Sequence, residues 1–315
     1  MKPFAIAGIQ MPVSATESNL EAMQHRLDAL MYIYPWVQMV VFSELVTFGP
    51  SPSTAQPMPG PAEEAFCSMA EKHDLWLIPG SIYERVGKRV YNTTPVIDPT
   101  GNVVGRYRKL FPFEPYEVGV SPGDQFLVFD VPDVGRFGVS ICYDMWIPET
   151  SRTLAVMGAE VILHPTLTGS IDRDVELSIA RATATTNQCY VFDINGIGDG
   201  GNGRSIICDP EGMVLYEAGS GEETIPLEID LEHVRRSRSR GLLRLGQPLK
   251  SFRDRSVDFP IYQPGARYPY LDSLGPLEKP TRTGKKDDAS AAASPSAGPQ
   301  QTTAEPSEAR GESTA

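Results

Sequence analysis

Three short segments each place a reactive side chain just past an expected strand. VVFSELVTFG carries Glu44, GRYRKLFPFEPYE carries Lys109 with Glu117 eight positions later, and FGVSICYDMWIPE carries Cys142. Taken singly, each has an ordinary explanation. A carboxylate at a strand end is usually solvated, and a free cysteine is among the most buried residue types. Lys109 beside Arg106 and Arg108 reads as a charged face. Together they supply the parts of a thiol-dependent amide hydrolase. A thiol, with a pKa of about 8.5, needs a base to become a nucleophile. A carboxylate in a dry pocket has its pKa raised, so it can take that proton and return it to leaving ammonia. A lysine ammonium and the backbone N–H after the nucleophile, that of Tyr143, are suited to hold the oxyanion. A second carboxylate, Glu117, would keep the lysine charged and oriented.

Competing assignments are weaker. A Cys142–His164 dyad would also be cysteine hydrolase chemistry, but a histidine at a strand end is more often a hydrogen-bonded structural residue. Cys67, Cys189 and Cys208 read as core. The four histidines show no metal-ligand spacing, so neither a metal nor another cofactor is expected.

The elements that must position these residues follow from hydrophobic periodicity. Strands are expected at Phe4–Ile9, Gln38–Ser43 and Leu75–Ser81. A capping box at Ser18–Glu21 opens a helix carrying Leu20, Met23, Leu27 and Leu30, and Pro61 opens a second, to His73. Tyr91–Ile97 and Val103–Arg108 flank the turn Asp98-Pro-Thr-Gly-Asn102 as a hairpin. Phe126–Val131 pairs with a strand over Arg136–Cys142, which places Cys142 at a strand end. A helix at Pro148–Gly158, a strand at Val161–His164, a helix at Asp174–Thr186 and a strand at Cys189–Asn195 come next. Ser205–Asp209, Val214–Ala218 and Thr224–Ile229 complete the set. Crossovers mixed with hairpins predict an α/β protein built as a four-layer α-β-β-α sandwich of two mixed sheets.

FSELVTFG, YRKLFPFEPYE and SICYDMWIPE, in this order, resemble the Glu-Lys-Cys signatures of the nitrilase superfamily of carbon–nitrogen hydrolases. IAGIQMPVSATESNLEAM is similar to that family's first strand and helix, and MGAEVILHPT to its strand after the nucleophile. The resemblance runs from about Phe4 to Leu231 and implies the same sandwich fold. It implies cysteine-dependent hydrolysis of a non-peptide C–N bond through a thioester. The catalytic set would be Glu44, Lys109, Cys142 and Glu117, with Tyr143, Phe113 and Trp146 at the substrate and oxyanion. True nitrilases usually have Trp-Glu after the nucleophile, where this chain has Tyr143-Asp144. The spacing Lys109-x-x-Pro112-x-x-Pro115-x-Glu117 looks most like the aliphatic amidase and formamidase branch. Leu45 stands where those amidases carry Tyr, and Phe113 where they carry Trp, so the acyl pocket is expected to differ. A nitrilase or an N-carbamoyl amide hydrolase is the alternative on the same fold. A silent binding homologue should lack one of the three reactive residues, and none is missing.

Composition sets the context. In 315 residues, 40 acidic side chains face 28 Lys and Arg, a net charge of −12. That balance argues against nucleic acid or an anionic membrane as partner. No apolar run reaches the roughly 20 residues of a membrane helix, and MKPFAIAGIQMPVS reads as a buried strand rather than a signal peptide. A cytoplasmic enzyme is expected. The basic run Val234–Arg240 reads as a helix salt-bridged to its own or a neighbouring subunit. The chain divides into a hydrolase domain over 1–240 and an arm over 241–275 rich in Leu, Arg, Pro and Tyr. Beyond it, 276–315 is expected to be a disordered tail with no large apolar residue after Leu277. The resemblance implies a homo-oligomer built from dimers, with the arm at a subunit interface.

Overall fold

The computed structural model describes residues 3–279 other than 264. The chain separates into a unit spanning Met1–Tyr268 and a second beginning at Pro269, whose described part includes the short helix Pro269–Asp272. The first unit takes in Gly241–Tyr268, the larger part of the expected arm. From residue 280 onward the expected tail lies outside the described residues.

Two mixed sheets form the centre of the first unit. In one, the strand Phe4–Gln10 pairs antiparallel with Glu223–Ile229 and parallel with Met39–Phe42, which runs parallel to Trp76–Ile78. Arg89–Ile97 joins next, flanked by Ile82–Val86 and Val103–Arg108. The other sheet runs in the order Val214–Glu217, Ile206–Cys208, Tyr190–Asn195, Val161–Thr166, Gly135–Val139, Leu127–Val131.

Strand alternation builds the layers, because successive side chains point to opposite faces. Ile6, Met39, Val41, Trp76 and Ile78 of the first sheet pack against Phe137, Val139, Val161, Leu163 and Phe192 of the second. Their strand neighbours Ala7, Ile9, Val40 and Phe42 face outward onto helices α1 (Leu20–Ile33) and α2 (Pro61–His73). On the far side, Ile162, Val191 and Cys208 pack under α3 (Pro148–Val156) and α4 (Arg173–Asn187). The result is the expected α-β-β-α sandwich. The basic run forms α5 (Leu231–Arg240), whose Arg235 pairs with Glu160 at 2.8 Å and with Glu232. Among the described residues no helix is long and apolar enough to cross a membrane.

Three local expectations need correction. The strand Ile82–Val86 was not anticipated, because its outer half, Arg85 and Val86, is exposed and breaks the apolar run. The capping box does not form. Asn19 is the residue before α1, and its side chain is drawn instead to the carbonyl of Val46 at 2.8 Å and to Ser14. Cys142 does not end a strand. Pairing stops at Val139, and Cys142 opens a 3-10 helix over Cys142–Trp146 with φ +47. A left-handed residue cannot continue a β ladder, so the chain must turn there.

Candidate active site

The reactive residues gather where strands of both sheets end on one side, the edge at which open α/β sheets bind ligands. Glu44 stands two residues beyond Met39–Phe42, and its N–H donates to the Thr166 carbonyl of the opposite sheet at 3.1 Å. Leu45 then adopts φ +52 and turns the chain away. The approach is tight. A Cβ on Gly80, whose φ is +76, would lie 1.9 Å from the Ser43 carbonyl, so only glycine lets this exit pass.

Lys109 follows Val103–Arg108, and its backbone N–H donates to the Asn92 carbonyl at 2.8 Å. The basic cluster is therefore divided by strand geometry. Arg106 pairs with Glu63 and Arg108 with Glu84, whereas Lys109 turns inward and is 2 % exposed. Its Nζ donates to Glu44 Oε1 at 2.9 Å and to Glu117 Oε2 at 2.7 Å. Glu117 Oε2 also accepts the Phe113 N–H at 2.5 Å, and its Oε1 accepts the Tyr83 hydroxyl at 3.3 Å.

Sequence reasoning missed two elements of this network. Asn92 Nδ2 bridges Glu44 Oε1 at 2.8 Å and Glu117 Oε1 at 3.2 Å, so one amide fixes both carboxylates. The available signal was Asn92-Thr93-Thr94, three polar residues inside a strand, all fully buried in the fold. The second is Asp144. Its carboxylate accepts the Tyr107 hydroxyl at 2.7 Å, the Phe111 N–H at 2.8 Å and the Ile141 N–H at 3.0 Å. It joins the lysine segment to the cysteine turn.

Burial sets the electrostatics. It pushes the Glu44 carboxyl above the ordinary carboxylate range, with Lys109 opposing and Glu117 adding to the rise. Burial also works against ionisation of Glu117, but Lys109 and the Phe113 N–H outweigh it and hold that carboxyl low. Lys109 is held well above its usual value despite desolvation, chiefly by Glu44, with Cys142 and Glu117 contributing. The Cys142 thiol is pushed up by burial and by the neighbouring Glu44 charge, with Lys109 opposing. Burial thus disfavours the charged form of both Glu44 and Cys142, which share the field of the Lys109 ammonium. The two carboxyls that share Lys109 are pushed apart, Glu44 up and Glu117 down, the pattern by which two like groups take different roles in one site.

The Tyr143 N–H sits in the first turn of the 3-10 helix, where backbone N–H groups have no acceptor within the helix. His164 takes no part. Its Nδ1 is 2.7 Å from Ser140 Oγ, and burial drives its pKa down to about 3, so it stays neutral. The cleft has two lobes that meet at Cys142, Phe113 and Leu167. The larger, about 430 Å³, is lined by Glu44, Lys109, Tyr83 and Glu117, and the smaller, about 160 Å³, by Tyr143, Trp146, Thr168, Asp172 and Glu176. Trp146 forms a wall of the smaller lobe, its indole N–H donating to Glu176 at 3.2 Å. All seven residues singled out in the sequence therefore border this cleft.

The profile of the carbon-nitrogen hydrolase family matches residues 5–239. Omega-amidase NIT2 of Xenopus tropicalis is 32% identical over 201 residues, 58% of this chain and 71% of that protein. An (R)-stereoselective amidase of a Pseudomonas species is 32% identical over 191 residues, 58% of this chain and 68% of that one. The crystal structure of Saccharomyces cerevisiae Nit3, a member of branch 10 of the nitrilase superfamily, superposes with a TM-score of 0.70 at 27% identity. It covers 76% of this chain and 94% of Nit3.

Proposed function

The chain belongs to the carbon-nitrogen hydrolase family of the nitrilase superfamily, and on that premise we propose that it hydrolyses a small amide with Cys142 as nucleophile. Glu44 accepts the thiol proton as sulfur bonds to the carbonyl carbon. Lys109 and the Tyr143 N–H hold the oxyanion, and Glu44 then gives the proton to the departing nitrogen as the C–N bond breaks. Water, deprotonated by Glu44, adds to the thioester carbonyl, and the C–S bond breaks to free the acid as Glu44 returns the proton to the Cys142 sulfur. Glu117 and Asn92 keep Lys109 and Glu44 in register. The observation that carries this reading is the buried Lys109 ammonium between two carboxylates, 2.9 Å and 2.7 Å away, beside a cysteine at a strained turn.

The amide is favoured over the nitrile by Tyr143-Asp144, whose carboxylate serves as a clamp, and by the Pro112-x-x-Pro115-x-Glu117 segment. Release of ammonia from short amides, N-carbamoyl acids and matched nitriles tests this. Amides should turn over fastest, and a nitrile faster than every amide would overturn the assignment.

The enzyme acts in the cytoplasm as a homo-oligomer built from dimers, with the 241–275 segment at the interface. Leu243, Leu245, Phe252 and Tyr262 in that segment, with Val156 and Met157 at the end of α3, are exposed in the single chain, and burying them would favour association. Light scattering at micromolar concentration should show a dimer or larger. A monomer alone would contradict it.

A further inference from the structure

The walls of the cleft constrain the charge of what enters it, and the constraint rests on the amidase reading only for naming the substrate class. Four carboxylates, those of Glu44, Glu117, Asp172 and Glu176, border the two lobes. Among the described residues lining either lobe, Lys109 is the only cation, and its ammonium is shared between Glu44 and Glu117. Arg173, 1 % exposed, stands behind Glu176 and bonds it at 3.1 Å, along with Asp193 at 2.9 Å and the Arg204 carbonyl at 2.7 Å. Among the described residues this leaves Asp172 as the carboxylate of the smaller lobe with no cationic partner. The recess where Arg173 and Cys142 share a wall measures about 10 Å³, room for about one water molecule and not for a carboxylate.

The remaining surface is aromatic. The Tyr143 ring lies 5.0 Å from Phe113 and 6.0 Å from Trp146, so the three form one continuous wall reaching Glu176 through the tryptophan indole. Aromatic faces beside carboxylates attract an ammonium group and repel an anion, most strongly in a cleft with low-dielectric walls. Phe113 takes part in this wall, and it is one of the positions where the sequence departs from the aliphatic amidases.

The geometry points to a substrate whose acyl part carries an ammonium group, an amine-bearing amide, and to rejection of an acyl part that carries a carboxylate. Asp172 is the residue that sets this preference without touching the proton-transfer groups. Its only described side-chain partner is the Ser170 hydroxyl at 2.5 Å.

Alkylation of Cys142 in the full chain, read by peptide mass mapping, tests the charge preference without any turnover. The ratio of iodoacetate to iodoacetamide rate should fall at least about tenfold below the ratio for 2-mercaptoethanol, as like-charge repulsion in a confined site demands. Asp172→Asn should recover part of that gap. Iodoacetate reacting at the 2-mercaptoethanol ratio, or above it, would overturn the inference. In the second arm, kcat/KM should order as 5-aminopentanamide, then pentanamide, then 5-amino-5-oxopentanoate. If the carboxylate-bearing amide is the fastest, the subsite assignment fails while the amidase reading stands. If the alkylation ratio falls as expected but no amide is cleaved, the amidase reading fails and the subsite assignment stands.

Discussion

Tyr107 donates its hydroxyl to Asp144 at 2.7 Å, and this one bond ties the strand that ends at Lys109 to the turn that begins at Cys142. Tyr107 lies in a strand of the first sheet and Asp144 in the 3-10 helix that follows a strand of the second, so the bond helps fix the distance between Lys109 and Cys142. Burial pushes the Asp144 pKa up to about 6 even with three donors directed at it. Losing one donor leaves a poorly satisfied buried carboxyl. Tyr107→Phe should destabilise the fold by about 1–3 kcal/mol and lower kcat more than it raises KM. Urea denaturation with steady-state kinetics checks both. An unchanged kcat with lowered stability would make the clamp purely structural.

Glu117 tunes Glu44 through its charge as well as by holding Lys109. Burial is the largest cause of the raised Glu44 pKa, and the Glu117 charge adds to it. Because Glu44 must be ionised to take the thiol proton, the acid limb of kcat/KM should lie above the ordinary glutamate value of 4.5. Glu117→Gln removes a neighbouring negative charge and leaves Lys109 to pair with Glu44 alone. Both changes favour the Glu44 carboxylate, so the limb should move to lower pH while the rate falls. A limb that moves up, or stays in place, would contradict the assignment of Glu44 as base.

Much of this arrangement was legible in the sequence, for a physical reason. Glu44, Lys109 and Cys142 each follow a strand, and alternation or an apolar run identifies such strands locally. Helix α2 was equally readable, since Pro61 starts it and the apolar spacing carries it to His73. What stayed hidden depends on contacts between distant residues. Asn92 looks like any polar strand residue until Glu44, 48 positions away, is brought to its side chain. Asp144 reads as part of a motif, while its partner Tyr107 lies 37 residues earlier. The turn at Cys142 was missed because Ser140-Ile141-Cys142 continues an apolar run, and positive φ at a non-glycine residue leaves no mark in composition.

His164 gives a pH signature in stability rather than in activity. Its pKa falls from 6.5 to about 3 in the folded protein, because burial disfavours the imidazolium. Between those values the unfolded chain binds a proton that the native state refuses, so this residue's contribution is lost as pH falls below about 6.5. Asp193, raised to about 7 by burial, works in the opposite sense, losing stability as pH rises from 3.8. The two overlap, so the test is a difference. Chemical denaturation of wild type and His164→Asn from pH 7 to pH 4 should show the shallower acid decline in the variant. Parallel declines would mean that His164 titrates normally.

The central claim is that the carbonyl carbon of the substrate becomes bonded to Cys142 Sγ. Acid-quenched samples of an amide that the enzyme turns over, read by intact and peptide mass spectrometry, test it directly. Wild type should carry the acyl mass on the peptide containing Cys142, and Cys142→Ala should carry none and release no ammonia above background. Acyl mass on another residue, or full turnover by Cys142→Ala, would contradict the account.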